Sequence, residues 1–167
     1  MILFSPSDLL AILPELLVMT AGCLVLLLDP LLSVGRKEWL TYVSVGSLGA
    51  AFVSAYWFMG VPSRSVFSGL YVLDAYATYW KLLLIFFSAL TVLLAKANLS
   101  QEQIDLPEFY AFILLSLSGM MVMVSGTDLL VIYLGIELMS ISLYIMVGFK
   151  RSERHSMEAA AKYFILG

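Results

Sequence analysis

LLVIYLGIELMSISLYIMVGF, residues 129–149, is an apolar run interrupted by a single charged side chain, Glu137. A helix needs about 20 mostly apolar residues to cross roughly 30 Å of hydrocarbon, so the run reads as a transmembrane helix. Glu137 stands nine residues after Asp128 and eleven before Gly148. At the helical rise per residue it lies about 13 to 17 Å from either end, beyond the reach of snorkelling. A charge at that depth costs at least about 2.5–3.5 kcal/mol on insertion scales, and the acids kept there are usually functional. Tyr133, Ser140 and Tyr144 fall at i−4, i+3 and i+7 from Glu137, so one face carries a polar stripe able to order water or pass protons. Two readings of the acid stand side by side. It is a proton relay, or it is a structural acid paired across helices or held neutral by burial, which needs only one hydrogen-bond partner.

The same hydropathy continues outward from this helix. The chain has 167 residues, 62% of them hydrophobic and 13% charged, with mean hydropathy +0.98. Ordinary soluble domains are about 45–50% apolar and about 25% charged, so the lipid bilayer is the solvent that fits. Complete crossings are predicted at residues 9–28, 39–59, 79–95, 109–125 and 129–149. A sixth helix starts at Ser156 and runs to Gly167. Twelve residues span only about 18 Å, too little for a crossing, so the sequence reads as the N-terminal piece of a longer protein. The expected fold is an all-α polytopic transmembrane bundle, a single domain over residues 1–167, with five complete helices and the start of a sixth.

Several chemistries drop out. A net charge of −3 and a pI near 5.0 provide no basic field for phosphates, which argues against a nucleic-acid partner. Cys23 and His155 are each the sole residue of their type, which leaves no disulfide, no C-x-x-C and no four-ligand metal cluster. No G-x-x-x-x-G-K-[ST] or G-x-G-x-x-G occurs, so no cofactor-binding or metal residues are expected in this chain.

Arg36, Lys37, Lys96, Lys150, Arg151 and Arg154 fall on one side of the predicted bundle and only Arg64 and Lys81 on the other. By the positive-inside rule the N-terminus then points away from the cytoplasm. The run from Val66 to Asp74 is too apolar for a linker and predicts a short extended or hairpin element. Pro14 falls within the first turns of its helix, where a missing N–H does least damage, and Asp29 with Pro30 stops that helix.

Among the other polar residues, Lys162 lies six residues into the last helix, about 9 Å deep. It is either a relay group or half of a simple i,i+4 pair with Glu158. The short connection 150–155 makes the last two helices antiparallel neighbours, which brings Glu137 and Lys162 into one region with contact through water. Glu15 reads as an interfacial acid near a helix start and Lys81 as an interface anchor that snorkels. Met120, Met121 and Met123 read as packing, and His155 as a solvated loop residue.

Leu134-Gly135-Ile136-Glu137-Leu138-Met139-Ser140-Ile141-Ser142-Leu143-Tyr144, then Gly148-Phe149 and Ser156-Met157-Glu158-Ala159-Ala160-Ala161-Lys162-Tyr163-Phe164, closely resembles the antiporter-like N subunits of respiratory complex I. Ile12-Leu13-Pro14-Glu15-Leu16, Glu108-Phe109-Tyr110-Ala111 and Asp128-Leu129-Leu130 resemble the flanking blocks. The resemblance implies a subunit with about fourteen transmembrane helices in two inverted half-repeats. It implies that Glu137 modulates a lysine on a seventh helix, outside this chain, and that Lys162 belongs to the same hydrophilic path. It further implies a chain without a redox centre, with NADH, flavin, iron–sulfur clusters and quinone in partner subunits of a large membrane complex. The expected activity is proton translocation coupled to quinone reduction, in a bacterial plasma membrane. A related Na⁺/H⁺ antiporter or membrane-bound hydrogenase subunit is the first alternative. A structural subunit whose Glu137 only joins helices is the second.

Overall fold

Pro14 cannot donate to the carbonyl of Leu10, and its ring crowds the preceding turn. The first apolar run is accordingly not one helix from residue 9 to 28, as expected, but two. In a computed structural model describing residues 6–32, 38–101, 107–150 and 153–167, α1 (Pro6–Ala11) ends one residue before Ile12. From there α2 (Leu13–Leu28) restarts, with Ile12 at φ −102°, ψ 17°. A 3₁₀ turn over Asp29–Leu31 closes α2 where Asp29 and Pro30 were expected to stop it.

The remaining helices are α3 (Glu38–Trp57), α4 (Ala75–Gln101), α5 (Pro107–Ser125), α6 (Leu129–Val147) and α7 (Arg154–Leu166). The third predicted crossing is longer than the 79–95 expected. Asp74 starts it four residues earlier by accepting the Ala77 N–H at 2.7 Å, an N-cap satisfying a donor that has no intrahelical partner. Asp128 caps α6 in the same way, accepting from Leu130 N at 2.8 Å. Among the described residues, four helices are long and apolar enough to cross a membrane: α2 with its 3₁₀ turn, most of α4, α5 and α6. The second predicted crossing, 39–59, is α3; it matches the others with 20 residues but is diluted by Thr41, Ser44, Ser47 and Ser54 and is not among the four. Ser44, Ser47 and Ser54 each satisfy their hydroxyl on a carbonyl of the preceding turn.

Between α3 and α4 the apolar segment forms the expected hairpin. Strands β1 (Arg64–Val66) and β2 (Tyr71–Leu73) pair antiparallel, with Arg64 opposite Leu73 and Val66 opposite Tyr71. Gly69 in the connecting turn has φ +95°, a conformation that glycine adopts without steric penalty. The hairpin is also fastened to the α5–α6 turn. Tyr71 bridges Gly126, Thr127 N donates to Leu70 O at 3.2 Å, and the Thr127 hydroxyl donates to Gly69 O.

Helix α5 is the hub, packed against α2, α3, α4 and α6. Its Tyr110, Leu114, Leu117 and Met121 are fully buried among Val18 of α2, Leu48 and Ala51 of α3, and Ile85 and Val92 of α4. In lipid such packing rests on van der Waals fit and close approach of small residues, since the hydrocarbon is as apolar as leucine. Gly119 of α5 and Gly135 of α6 meet face to face. A Cβ on Gly119 would lie 2.6 Å from Gly135 O and 2.8 Å from Met139 N. Beyond that contact α6 is largely uncovered, leaving Leu130, Leu134, Ile136 and Ile141 exposed. Met121 is a core residue and Met120 packs against the core, which agrees with the packing reading.

The alternation of helices sets Lys96, Lys150 and Arg154 at the end of the bundle opposite the hairpin, Arg64 and Lys81. Arg36, Lys37 and Arg151 lie outside the described residues.

Candidate functional site

Glu137 stands half-buried in the middle of α6. One turn earlier, Tyr133 is exposed on the same side of the helix, near the Glu137 carboxylate. Tyr144 takes a different role. Its ring packs edge-on to Tyr163 at 4.8 Å and to Phe164 at 5.7 Å, an aromatic contact that joins α6 to α7. The two helices also meet where Gly148 faces Ala160 and where Ser156 Oγ donates to Val147 O at 2.8 Å.

Neighbourhood of the last two helices is thus as expected, but the structure does not join the two candidate residues. Lys162 Nζ forms its ion pair with Glu158 Oε1 at 2.7 Å, on the same helix, with the two side chains 68% and 53% exposed. That is the simple i,i+4 arrangement. His155 is exposed but belongs to the first turn of α7 rather than to a loop.

A second ionisable cluster appears where none was expected. Lys81, expected to snorkel, is only 1% exposed, and Glu15, expected at an interface, only 5%. Their charges meet directly, Lys81 Nζ to Glu15 Oε1 at 2.8 Å. Tyr71 of β2 completes a triangle, donating its hydroxyl to Glu15 Oε1 at 2.7 Å and accepting from Lys81 Nζ at 2.6 Å. Burial, then the charge and hydrogen bonding of Glu15, push the Tyr71 phenol well above its ordinary pKa, and the Ser125 hydroxyl beside it opposes the shift. Tyr71 therefore stays protonated and remains a donor at neutral pH.

The physical reason for the correction is pairing. An ammonium that finds a carboxylate and a phenol inside the bundle has less to gain from reaching for the interface. Three elements are needed to assemble the triangle: the restart of α2 after Ile12 aims Glu15 inward, the hairpin carries Tyr71, and the second turn of α4 carries Lys81. The available sequence signal was one of sign, since an acid and a base each embedded in an apolar run each require an opposite partner.

The sequence family described as NADH:quinone oxidoreductase/Mrp antiporter, TM, matches residues 126–167. That block contains both Glu137 and Lys162. The chain is 39% identical over 158 residues, 95% of its length, to NADH-quinone oxidoreductase subunit N 2 of Rhizobium meliloti. It is 39% identical over 168 residues to subunit N of Trichlorobacter lovleyi, and 37% identical over 174 residues to subunit N 1 of Koribacter versatilis, in each case across 99% of the chain. The chain spans about a third of the length of these relatives, 33–34%. The likeness covers the α2 and hairpin regions as well as the glutamate-to-lysine block.

Proposed function

We propose that this chain, related over nearly all its length to N subunits of NADH-quinone oxidoreductases, forms part of a proton-translocating membrane subunit of such a complex. In this reading Glu137 and Lys162 belong to its proton relay. The observation that carries it is the acid in the middle of α6, inside the block shared with the oxidoreductase and antiporter family.

The chemistry follows from the groups present. Glu137 accepts and releases a proton at its carboxylate, with the Tyr133 hydroxyl nearby on the same helix face. A change of charge at Glu137 is felt by any ionisable group that the rest of the subunit sets against the uncovered face of α6, because Coulomb coupling is weakly screened away from water. The chain itself holds no redox group in this proposal. NADH, flavin, iron–sulfur clusters and quinone belong to partner subunits, which supply the energy. The membrane is a bacterial plasma membrane with the hairpin end facing away from the cytoplasm, supported by the gathering of Lys96, Lys150 and Arg154 at the other end.

The test is NADH-driven proton uptake by inside-out membrane vesicles carrying the full-length subunit in its complex, normalised to assembled complex. Glu137→Gln keeps the shape and removes the titration, and uptake is expected to fall by roughly 10²-fold or more, the lower range for loss of a proton-transfer group. Unchanged uptake at equal assembly would make Glu137 structural. Lys162→Ala is expected to slow coupled turnover while assembly stays normal. An exposed i,i+4 pair contributes only about 0.3–0.5 kcal/mol, so if Lys162 served only Glu158 neither quantity would move.

A second reading is favoured by the family description, which also includes Mrp antiporters. As an antiporter segment the same vesicles would exchange Na⁺ for H⁺ under an imposed gradient without NADH. NADH-driven uptake in sodium-free buffer separates the two.

A further inference from the structure

We propose that the outer faces of α3 and α4 form the subunit's lipid-facing wall, covered by the acyl chains of the bilayer rather than by a neighbouring helix. The wall follows from the membrane-spanning fold and stands whichever role Glu137 plays.

Both helices are apolar on two opposite sides. On α4, Ile85 and Val92 are buried in the bundle, while Phe86, Phe87, Leu90, Leu93 and Leu94 are exposed. On α3, Leu48, Ala51 and Ala55 are buried, while Val43, Phe52 and Val53 are exposed. Steps of three and four residues keep each set on its own side of the helix. A helix that is apolar all round belongs inside a larger protein or in a membrane, so the outer side of each needs an apolar cover.

The placement of the tryptophans and tyrosines identifies that cover. Every one of them in α3 and α4 lies in the first or last two turns of its helix, and all are exposed. Tyr56 and Trp57 end α3 at the hairpin end, where Tyr76, Tyr79 and Trp80 open α4; Trp39 and Tyr42 open α3 at the other end. Rings with one apolar and one polar part gather at the two membrane–water interfaces in this way. Trp39 and Trp57 are 18 residues apart, about 27 Å along the helix, against roughly 30 Å of hydrocarbon. Lys96 marks the same level as Tyr42, its Nζ 5.2 Å from the centre of that ring, and a lysine at a helix end reaches for the interface. It stands 16 residues from Trp80, about 24 Å. Between the two levels the only charge on either helix is Lys81, which points inward to Glu15.

The middle of α3 is open to such chains. A Cβ on Gly46 or Gly49 would meet nothing within 4 Å, and Gly49, Ala50 and Val53 face Leu10 and Leu13 across a groove of about 600 Å³. The one hydroxyl among the lining residues, that of Ser54, already donates to Ala51 O at 2.9 Å. Methylene groups fill the groove without stranding it. The uncovered face of α6 differs, because it carries Glu137 in its middle and no tryptophan. Hydrocarbon there would leave the carboxylate unmatched.

The deciding experiment needs no substitution. The assembled complex with the full-length subunit, in its native membrane vesicles, is labelled with a bilayer-partitioning aryl diazirine, and the sites of carbene insertion are mapped by peptide mass spectrometry. Label is expected at Phe86, Phe87, Leu90, Leu93 and Leu94 of α4 and at Val53 of α3, with loss of label at Ile85, Val92, Leu48 and Ala55. Outer faces without label overturn the proposal, and so does label spread evenly around either helix. A second measurement identifies the cover directly, with Phe87→p-benzoylphenylalanine and, separately, Val53→p-benzoylphenylalanine irradiated in the same vesicles. The expected product is the subunit carrying the added mass of a phospholipid. A cross-link to another polypeptide segment, as a helix docked on Gly46 and Gly49 would give, overturns the proposal. Should neither variant assemble, the labelling of the wild-type complex decides alone.

Discussion

Lys81→Met lowers the yield of folded subunit more than any other single change considered. The substitution leaves the Glu15 carboxylate, 5% exposed, with only the Tyr71 hydroxyl to balance its charge. Breaking one side of a buried ion pair costs about 3–5 kcal/mol, because the surviving charge keeps its desolvation penalty and loses its attraction. That is roughly a 10²- to 10⁴-fold change in the folding equilibrium, at about 1.4 kcal/mol per tenfold. The consequence is local as well as global. Tyr71 ties the same network to β2, and the hairpin is fastened in turn to the α5–α6 turn. The measurement is the amount of assembled complex on a native gel, with the detergent melting temperature of the purified complex beside it. Tyr71→Phe removes one hydrogen-bonded hydroxyl and is expected to cost less, about 1–3 kcal/mol. Equal behaviour of Lys81→Met and wild type would mean that the ammonium is not buried against Glu15.

Gly119→Leu is expected to separate α5 from α6. Even the first carbon of the new side chain would stand 2.6 Å from Gly135 O and 2.8 Å from Met139 N. Both are backbone atoms of a helix and cannot move aside singly, so α6 must translate as a body. Overpacking a close contact costs typically about 1–3 kcal/mol, and displacing a whole helix sets this variant at the upper end. Gly119→Ala is the graded control, with a smaller loss from the same clash. Gly135→Ala is expected to resemble it, since its Cβ would meet Gly119 O at 2.8 Å. A cysteine cross-linking ladder between α5 and α6 reads the displacement directly. A ladder unchanged in Gly119→Leu would show that the helices are not in contact there.

The parts of this architecture legible in the sequence are those that depend on local composition. Apolar runs of sufficient length mark α2, α4, α5 and α6 because lipid demands that each backbone satisfy itself within one segment. The hairpin of Arg64–Leu73 was legible in part because Val66–Asp74 is too apolar for a linker. Glu137 was legible as well, since a lone acid in a long apolar run needs no partner to be conspicuous. The break at Ile12 was harder to see: a proline two residues on is compatible with either an N-terminal turn or a restart, and hydropathy is the same in both.

Long-range pairing was not legible. Glu15 and Lys81 have no spacing relation, because a helix period governs neighbours on one helix and says nothing about residues on different ones. Each considered alone favours the interface, where a charge finds water; only their juxtaposition inside the bundle makes burial the better state. For Lys162 the structure favoured the nearest option, Glu158 one turn away, over the distant Glu137.

Sequence alone therefore determined the solvent, the rough extent of α2, α4, α5 and α6 as membrane segments, and the conspicuous acid of α6, because each is a property of a single contiguous stretch. Tertiary structure alone decided which charges are neutralised, where the close helix contact falls, and that a buried acid–phenol–amine triangle exists. These depend on distances between separate chain segments, 16 residues apart at Gly119 and Gly135 and 56 apart at Glu15 and Tyr71, which are set by how the helices pack.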